Sequence, residues 1–187
     1  MEEIFKAFRH LSREIIIYIL PGFLLFLDVI IILFVNNCSI LQNEIFVNSI
    51  FWIAIFMSYI FGHLSISLCV VLKKLCCFDN CFGYKNERLD KEIQIFKKDK
   101  DRYEYFIERY NLLHAIRKNV TAIWLIICIL NISMLLYSLA FNTNEFAVFY
   151  AISIGIAFVS MLLFGLNTQK TKCDYKERIE KLWELNK

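Results

Sequence analysis

The basic residues of this chain are confined to three segments, which four long apolar runs separate. All 21 Lys and Arg residues lie within positions 6–13, 73–118 or 170–187. The other two connections, Asn36–Glu44 and Asn142–Glu145, contain neither Lys nor Arg. Basic residues remain on the cytoplasmic side when a membrane protein is inserted. The pattern therefore predicts cytosolic termini, a cytosolic segment at 73–118 and two short loops outside.

Each apolar run is long enough to cross a bilayer as a helix. The runs, of 21, 28, 22 and 21 residues, are Ile15–Val35, Ile45–Leu72, Val120–Phe141 and Phe146–Leu166. A helix needs about 20 residues to span the hydrocarbon core. The first run exceeds the apolar core of a signal peptide and no small-residue cleavage site follows it, so we interpret it as a retained span. The fold class predicted is an all-α membrane protein with four transmembrane helices and a cytosolic helical extension before the third.

The remaining segments are short and helical in character. We divide the chain into five parts. They are an interfacial amphipathic helix (1–14), a first transmembrane pair (15–72), a cytosolic turn with a heptad helix (73–118), a second transmembrane pair (119–167) and a cytosolic amphipathic tail (168–187). A kink is expected at Pro21-Gly22, because Pro removes one helical hydrogen bond.

A heptad pattern within 73–118 predicts a helix that needs a partner. Its positions alternate four and three apart: Leu89, Ile93, Phe96, Lys100, Tyr103, Ile107, Tyr110, His114 and Arg117. No Pro or Gly separates this pattern from the third apolar run, so one helix from about Glu87 to Phe141 is predicted. Two partners are open. One is the tail stripe of Tyr175, Ile179, Leu182 and Asn186, beside Trp183; the other is the same helix in a second subunit, as a homo-oligomer.

Polar side chains inside the apolar runs are the first candidates for a site, because burying them in lipid is costly. Asp28 lies about 21 Å from the inner edge of its run, Asn131 about 17 Å and His63 about 14 Å at helical rise. Asp28 and Asn131 therefore match in depth, whereas His63 is offset from Asp28. These three residues predict either a polar lining for an ion path or hydrogen bonds that hold helices together.

Two further groups of small or soft side chains are candidates for packing or metal binding. Ala147, Ala151 and Gly155 recur every four residues and allow close approach of another helix, within the chain or from a second subunit. Cys76, Cys77 and Cys81 offer half of a zinc-ligand pattern, with Cys173 or His114 as distant partners. Reduced cytosolic thiols are the alternative, and we expect no metal and no cofactor.

An enzymatic alternative rests on Arg109 and His114, which have the R-x4-H spacing of HEPN ribonucleases. In those enzymes two copies of the motif pair across a helical dimer, and the histidine acts on a 2′-hydroxyl. Tyr110 stands where such motifs usually carry Asn, His or Gln. The sequence contains no Gly-rich phosphate loop, nucleophile elbow or H-E-x-x-H motif. Direct nucleic-acid binding is not expected, since the net charge is only +3.

Two local patterns carry a resemblance to a known group. They are Ile17-Tyr-Ile-Leu-Pro-Gly-Phe23 and Tyr59-Ile-Phe-Gly-His-Leu64. With R-x4-H and a cytosolic helix before the third span, the chain resembles the small four-span membrane accessory proteins of type VI-B CRISPR loci. The resemblance implies a bacterial inner-membrane protein that modulates an RNA-guided ribonuclease or perturbs the membrane as an oligomeric pore. A small ion or proton transporter is a third hypothesis.

Overall fold

A computed structural model of the chain describes residues 13, 15–74, 89–98, 103, 109–141 and 146–185. Within these ranges the chain is helical and contains no β-strand. A π-helical turn at Ile15–Ile19 and a 3₁₀ turn at Ser39–Gln42 accompany five α-helices: α1 (Leu20–Val35), α2 (Glu44–Lys74), α3 (Leu89–Lys98), α4 (Arg109–Ala140) and α5 (Ala147–Leu185). The predicted all-α fold is confirmed.

Four helical stretches of the described chain are long and apolar enough to cross a membrane: Ile15–Val35, Glu44–Cys69, Arg109–Ala140 and Ala147–Glu184. They coincide with the four predicted runs, and the third and fourth extend well beyond them. The chain therefore has the make-up of a multi-pass membrane protein. Of the predicted interfacial helix at 1–14, all but Arg13 lies outside the described residues.

An irregular turn precedes α1 where the sequence predicted a kink. Residues Ile15–Ile19 form a π-helical turn, and Pro21 falls in the first turn of α1. Pro has no backbone N–H, so the Ile17 carbonyl loses the donor that an α-helix would supply four residues later. The side chain of Asn119 on α4 donates to that carbonyl at 3.1 Å. The irregular backbone is thus satisfied by a neighbouring helix, as an apolar environment requires.

Asparagine side chains and one left-handed residue build the connection between α1 and α2. Asn37 has φ 50°, the left-handed conformation that commonly ends a helix and that Asn tolerates. Asn43 caps α2, because its Oδ1 accepts the backbone N–H of Ile45 at 2.9 Å. Asn36 Nδ2 donates to the Tyr150 hydroxyl of α5 at 2.7 Å. We call this side of the molecule, with residues 36–43 and Tyr150, the short-loop end.

Helices α1 and α2 approach until their backbones touch. A Cβ placed on Gly22 would overlap the Ser58 carbonyl oxygen and lie 2.7 Å from the Gly62 nitrogen. A Cβ on Gly62 would in turn overlap the Tyr18 carbonyl. Close backbone approach through small residues is the usual means of helix association in bilayers, where apolar burial drives little.

The most extensive interface joins α4 and α5, which run antiparallel. We call the part of the bundle that the four apolar runs form the apolar layer, and α4 and α5 continue past it. Its buried core includes Ile123, Ile127 and Ala157, and Leu25 of α1 completes the cluster. At 1.5 Å per residue the 39-residue α5 is about 58 Å long, roughly twice the thickness of a hydrocarbon core. Both helices therefore project well past one face of the bundle.

A single helix, α5, contains both the predicted fourth span and the described part of the predicted tail at 168–187. Helix α5 continues unbroken from Ala147 to Leu185. No Pro occurs in this stretch, and its last glycine is Gly165, so nothing after that point favours a break. Likewise α4 runs without interruption from Arg109 into the apolar layer, as predicted, while the predicted start at Glu87 lies outside the described residues.

The projecting part of α5 packs against α3 of the same chain. A second cluster of buried residues comprises Ile95 of α3 with Tyr175, Ile179 and Leu182 of α5. Tyr103, Tyr110 and Trp183 pack against its edge. Of the two partners that the sequence left open for the heptad helix, the tail stripe is the one that packs on α3, at Ile95. Asn186 of that stripe lies outside the described residues.

Contacts between the helices define a second layer at the opposite end. The Cys69 thiol lies 3.8 Å from the Lys118 carbonyl oxygen. The Arg117 guanidinium donates to the Asn167 carbonyl at 3.1 Å and also to the Thr171 hydroxyl. Lys73 and Lys74 end α2 beyond Cys69, and Lys170 and Lys172 follow Asn167 on α5. We call this layer, with Lys118 and Asn167, the basic end.

The glycine contact between α1 and α2 generates the first prediction. Gly22→Ala forces backbone atoms apart. Overpacking usually costs about 1–3 kcal/mol, and we expect this change to destabilise the bundle by about 2 kcal/mol or more. Thermal unfolding of the purified chain in mild detergent measures this effect. The control is Gly155→Ala, because a Cβ there meets nothing within 4 Å. Equal unfolding temperatures for the two variants would contradict the contact.

Candidate functional site

The candidate site lies between α1 and α4, where a carboxylate meets an amide inside the apolar layer. Asn131 Nδ2 donates to the Asp28 carboxylate oxygens at 3.1 and 3.2 Å. The same nitrogen donates to the Ile127 carbonyl at 2.9 Å within α4. The prediction that Asp28 and Asn131 match in depth is confirmed, and they form a direct interhelical hydrogen bond.

The pair lies far from both ends of the bundle. Asp28 is eleven residues after Ile17, about 16 Å, and eight residues before Asn36, about 12 Å. Asn131 is 1% exposed, whereas Asp28 is only partly buried on the surface of the single chain. The carboxylate is therefore not fully covered by its own chain at a depth where lipid tails surround the protein.

Asn131 also has an unused hydrogen-bonding atom. Its Oδ1 is buried and has no donor among the described residues. A buried amide oxygen without a donor forfeits about 1–3 kcal/mol relative to one in water. The amide nitrogen thus donates to Asp28 and Ile127, and the amide oxygen accepts no hydrogen bond from the described residues.

His63 belongs to a separate aromatic cluster near the basic end. Its ring stacks on Tyr18, with centroids 4.4 Å apart, and meets Tyr59 edge-on at 4.4 Å. Tyr18 precedes Asp28 by ten residues, about 15 Å along a helix. The offset between His63 and Asp28 expected from the sequence is therefore observed.

The two sequence patterns that carry the CRISPR-locus resemblance pack against each other. Tyr18 and Gly22 of the first pattern contact His63 and Gly62 of the second, through the ring stack and the backbone approach. Gly22 and Gly62 remove the side chains that would hold α1 and α2 apart. The patterns therefore serve, at least, as one helix-packing unit.

Asn119 is a functional position that the sequence analysis missed. It is 1% exposed and satisfies the Ile17 carbonyl that Pro21 frees. The signal was available, because a Pro inside an apolar run leaves a carbonyl without its usual donor. A polar residue at the same depth on another helix was therefore to be expected. Its own Oδ1 is buried without a donor in the described chain.

Arg109 and His114 are not brought together on one helix face. Both lie on α4, where five residues correspond to a rotation of about 140° around the axis. Arg109 is exposed, whereas His114 is partly buried and lies against the Thr168 backbone of α5. Lys118 and Lys172 are close to the imidazole. Within one chain this geometry provides no paired ribonuclease centre.

The candidate metal ligands are not assembled in the described chain. Cys76, Cys77 and Cys81 lie outside the described residues. Cys173 is free and exposed on α5. The described residues contain no group of three or more His, Cys, Asp or Glu side chains that could hold a metal ion.

The predicted assembly residues divide between the interior and the surface. Tyr103 and Tyr110 pack at the edge of the α3–α5 cluster, and the Arg178 guanidinium lies 4.6 Å from the centroid of the Tyr110 ring. Ile93 and Phe96 are each 42% exposed, so Ile95, which the heptad pattern did not include, is the α3 residue that packs on α5. The side chain of Leu89 and all of Ile107 lie outside what the structure describes.

The small residues of α5 face outward. Ala151 and Gly155 are exposed, Ala147 is partly exposed, and a Cβ on Gly155 meets no atom within 4 Å. At Ala151 and Gly155 the ridge does not contribute to packing within the chain. Its remaining role is contact with lipid or with a second subunit, which stays a prediction.

Known proteins do not narrow the assignment of the site. No protein-family model, no curated protein and no solved structure matches this chain.

The interhelical pair generates the second prediction. Asn131→Leu removes the donor to Asp28, and we expect a loss of about 1–2 kcal/mol of stability, the range for polar contacts in bilayers. Asp28→Leu together with Asn131→Leu should cost less than the sum of the single changes. Reversible unfolding in mixed micelles measures the cycle. Ser133→Ala, on the exposed face of α4, is the control and should have little effect. Strict additivity would show that the two side chains are not coupled.

Proposed function

We propose that this protein is a non-enzymatic inner-membrane protein that assembles into an oligomeric pore and acts in bacterial antiviral defence of the CRISPR type. The observation that carries the pore is the partly exposed Asp28 carboxylate within the apolar layer, bonded to a buried amide. The defence setting is supported by the sequence resemblance to accessory proteins of type VI-B loci.

Lipid tails are a poor environment for the exposed part of Asp28. A carboxylate at mid-bilayer costs several kcal/mol, and such groups usually face a bundle interior or a water-filled cavity. Assembly of several copies with α1 turned inward places Asp28 beside water instead. This arrangement supports an ion path better than a lone four-helix bundle does.

The outward ridge on α5 supports assembly. Gly155 and Ala151 permit another helix to approach closely, and packing through small residues is a common basis of association in membranes. Ridge and carboxylate lie on different helices, so the ridge on α5 can contact a neighbouring subunit while the Asp28 carboxylate on α1 faces the lumen.

The projecting ends of α4 and α5, with α3 packed on them, form the part that we assign to the cytosol from the positions of the basic residues. Exposed Ile93 and Phe96 on α3 offer an apolar surface next to Lys97 and Lys98. We assign contact with a cytosolic partner, such as an RNA-guided nuclease, to this projecting part.

Cysteine labelling tests the proposed orientation. Cys38 lies at the short-loop end and Cys173 on the projecting part of α5, and both are free thiols. In intact spheroplasts a membrane-impermeant maleimide should label a variant that retains only Cys38. A variant that retains only Cys173 should react only after the membrane is opened. The opposite pattern would reverse the assigned topology.

Mass and ion efflux test the pore. In mild detergent we expect a particle of several chains, and in liposomes a potassium efflux that empty liposomes lack. Gly155→Leu should shift the mass distribution towards the single chain, because a large side chain blocks close approach. Ile156→Leu, at the neighbouring exposed position, is the matched control. A monomer that leaves liposomes tight to ions would refute the proposal.

A further inference from the structure

No Lys or Arg lies within the four apolar runs, one of which carries the Asp28 carboxylate. The sequence contains no Lys or Arg between Arg13 and Lys73, or between Lys118 and Lys170. Lys118 is thirteen residues below Asn131, about 20 Å along α4. Further copies in the same orientation carry their basic residues at the same depths, so assembly does not supply a cation either.

Histidine does not fill this role. His63 is held between Tyr18 and Tyr59, and Tyr18 is about 15 Å from Asp28 along the helix. The direct partner of Asp28 in the described chain is the neutral amide of Asn131. Among the described residues, no cationic side chain therefore balances the charge of Asp28.

The Asn131 amide supplies what a small cation needs. In the arrangement observed, Nδ2 points to the carboxylate and the buried Oδ1 has no donor among the described residues. A rotation of about 180° about the Cβ–Cγ bond exchanges the two atoms. Oδ1 then faces the Asp28 carboxylate and the Ile127 carbonyl oxygen, and a cation among these oxygens replaces the hydrogen bonds that Nδ2 made to both.

We propose that Asp28 and Asn131 form a binding site for a small inorganic monovalent cation of the sodium or potassium class. Carboxylate and amide oxygens are hard ligands that suit such ions. One carboxylate balances one positive charge, which makes the occupied site neutral within the bilayer. A divalent ion would leave a net charge there, and the four apolar runs of the sequence contain no Asp or Glu besides Asp28.

The site does not require the pore, since both ligands come from one chain. If the oligomer conducts, the same site makes it prefer cations, as rings of acidic side chains do in channels. The two proposals therefore fail separately. Liposomes that stay tight while the purified chain still binds the cation would reject the pore and keep the site.

The test is thermal unfolding of the full-length chain in a neutral detergent. Sodium chloride and potassium chloride are compared at equal ionic strength with the chloride of N-methylglucamine, a cation too large for the site. We expect sodium or potassium to raise the Tm of the wild type by about 2–4 °C or more, with saturation. Asp28→Asn should abolish the difference. Asp174→Asn, the same change on the projecting part of α5, should retain it.

Two outcomes would overturn the site. One is an equal response of the wild type and Asp28→Asn to the change of cation, which marks a general salt effect. The other is a wild type that is stabilised only by acid, which marks a protonated carboxyl group instead of a bound ion.

A second variant decides the matter if Asp28→Asn does not fold. Asn131→Asp places two carboxylates in the site, so calcium should stabilise this variant more than sodium does. The wild type should show no such preference. The same weak response to calcium in both proteins would contradict coordination by residue 131.

Discussion

Polar groups that lie between the two ends of this bundle need partners inside the protein, because lipid tails offer none. Three hydrogen bonds at different levels join α1, or the residues that flank it, to other helices. Asn119 donates to the Ile17 carbonyl, Asn131 donates to Asp28, and Asn36 donates to the Tyr150 hydroxyl. Three bonds along one helix fix both its axial position and its rotation. The site thus depends on the same bonds that position the helix.

The contact between α1 and α2 has a different physical basis. It depends on two missing side chains, and backbone atoms of Tyr18, Gly22, Ser58 and Gly62 meet directly. Dispersion between closely packed backbones is insensitive to salt and pH, whereas the bonds between α1 and α4 involve charge. The α1–α2 contact therefore depends on shape, whereas the α1–α4 contact combines the apolar packing of Leu25 with the hydrogen bond to Asp28.

Periodicity and charge predicted the spans, the depth match of Asp28 with Asn131 and the buried stripe on the tail. These features depend on axial position, which a constant helical rise converts directly from sequence number. Packing between helices was harder to foresee. The heptad pattern placed Ile93 and Phe96 on the packed face of α3, whereas Ile95 is the residue that contacts α5. Of the α3 side chains that the structure describes, Ile95 is the buried one, and the heptad repeat did not mark it.

The tail shows a second limit. The predicted tail at 168–187 was defined by its amphipathic pattern, which does not say whether the helix of the fourth span continues into it. Its continuity through residue 185 follows from the lack of helix breakers after Gly165. The Gly22–Gly62 contact was likewise not foreseen, since a glycine in a span signals close approach without naming its partner. Asn119 was within reach of sequence reasoning, because Pro21 leaves an identifiable carbonyl to be satisfied.

Because α5 is one unbroken helix, a tilt of its projecting end also moves its part within the bundle. From Asn167 at the basic end to Ile179 in the α3 cluster there are twelve residues of unbroken helix, a distance of about 18 Å. A tilt of ten degrees about the Asn167 layer moves Ile179 sideways by about 3 Å. The same tilt swings the other arm of the helix, which carries Ala157 in the core beneath Leu25 of α1. A tilt of the projecting part of α5 would therefore displace Ala157 in the bundle core directly, because no break in the helix separates the two.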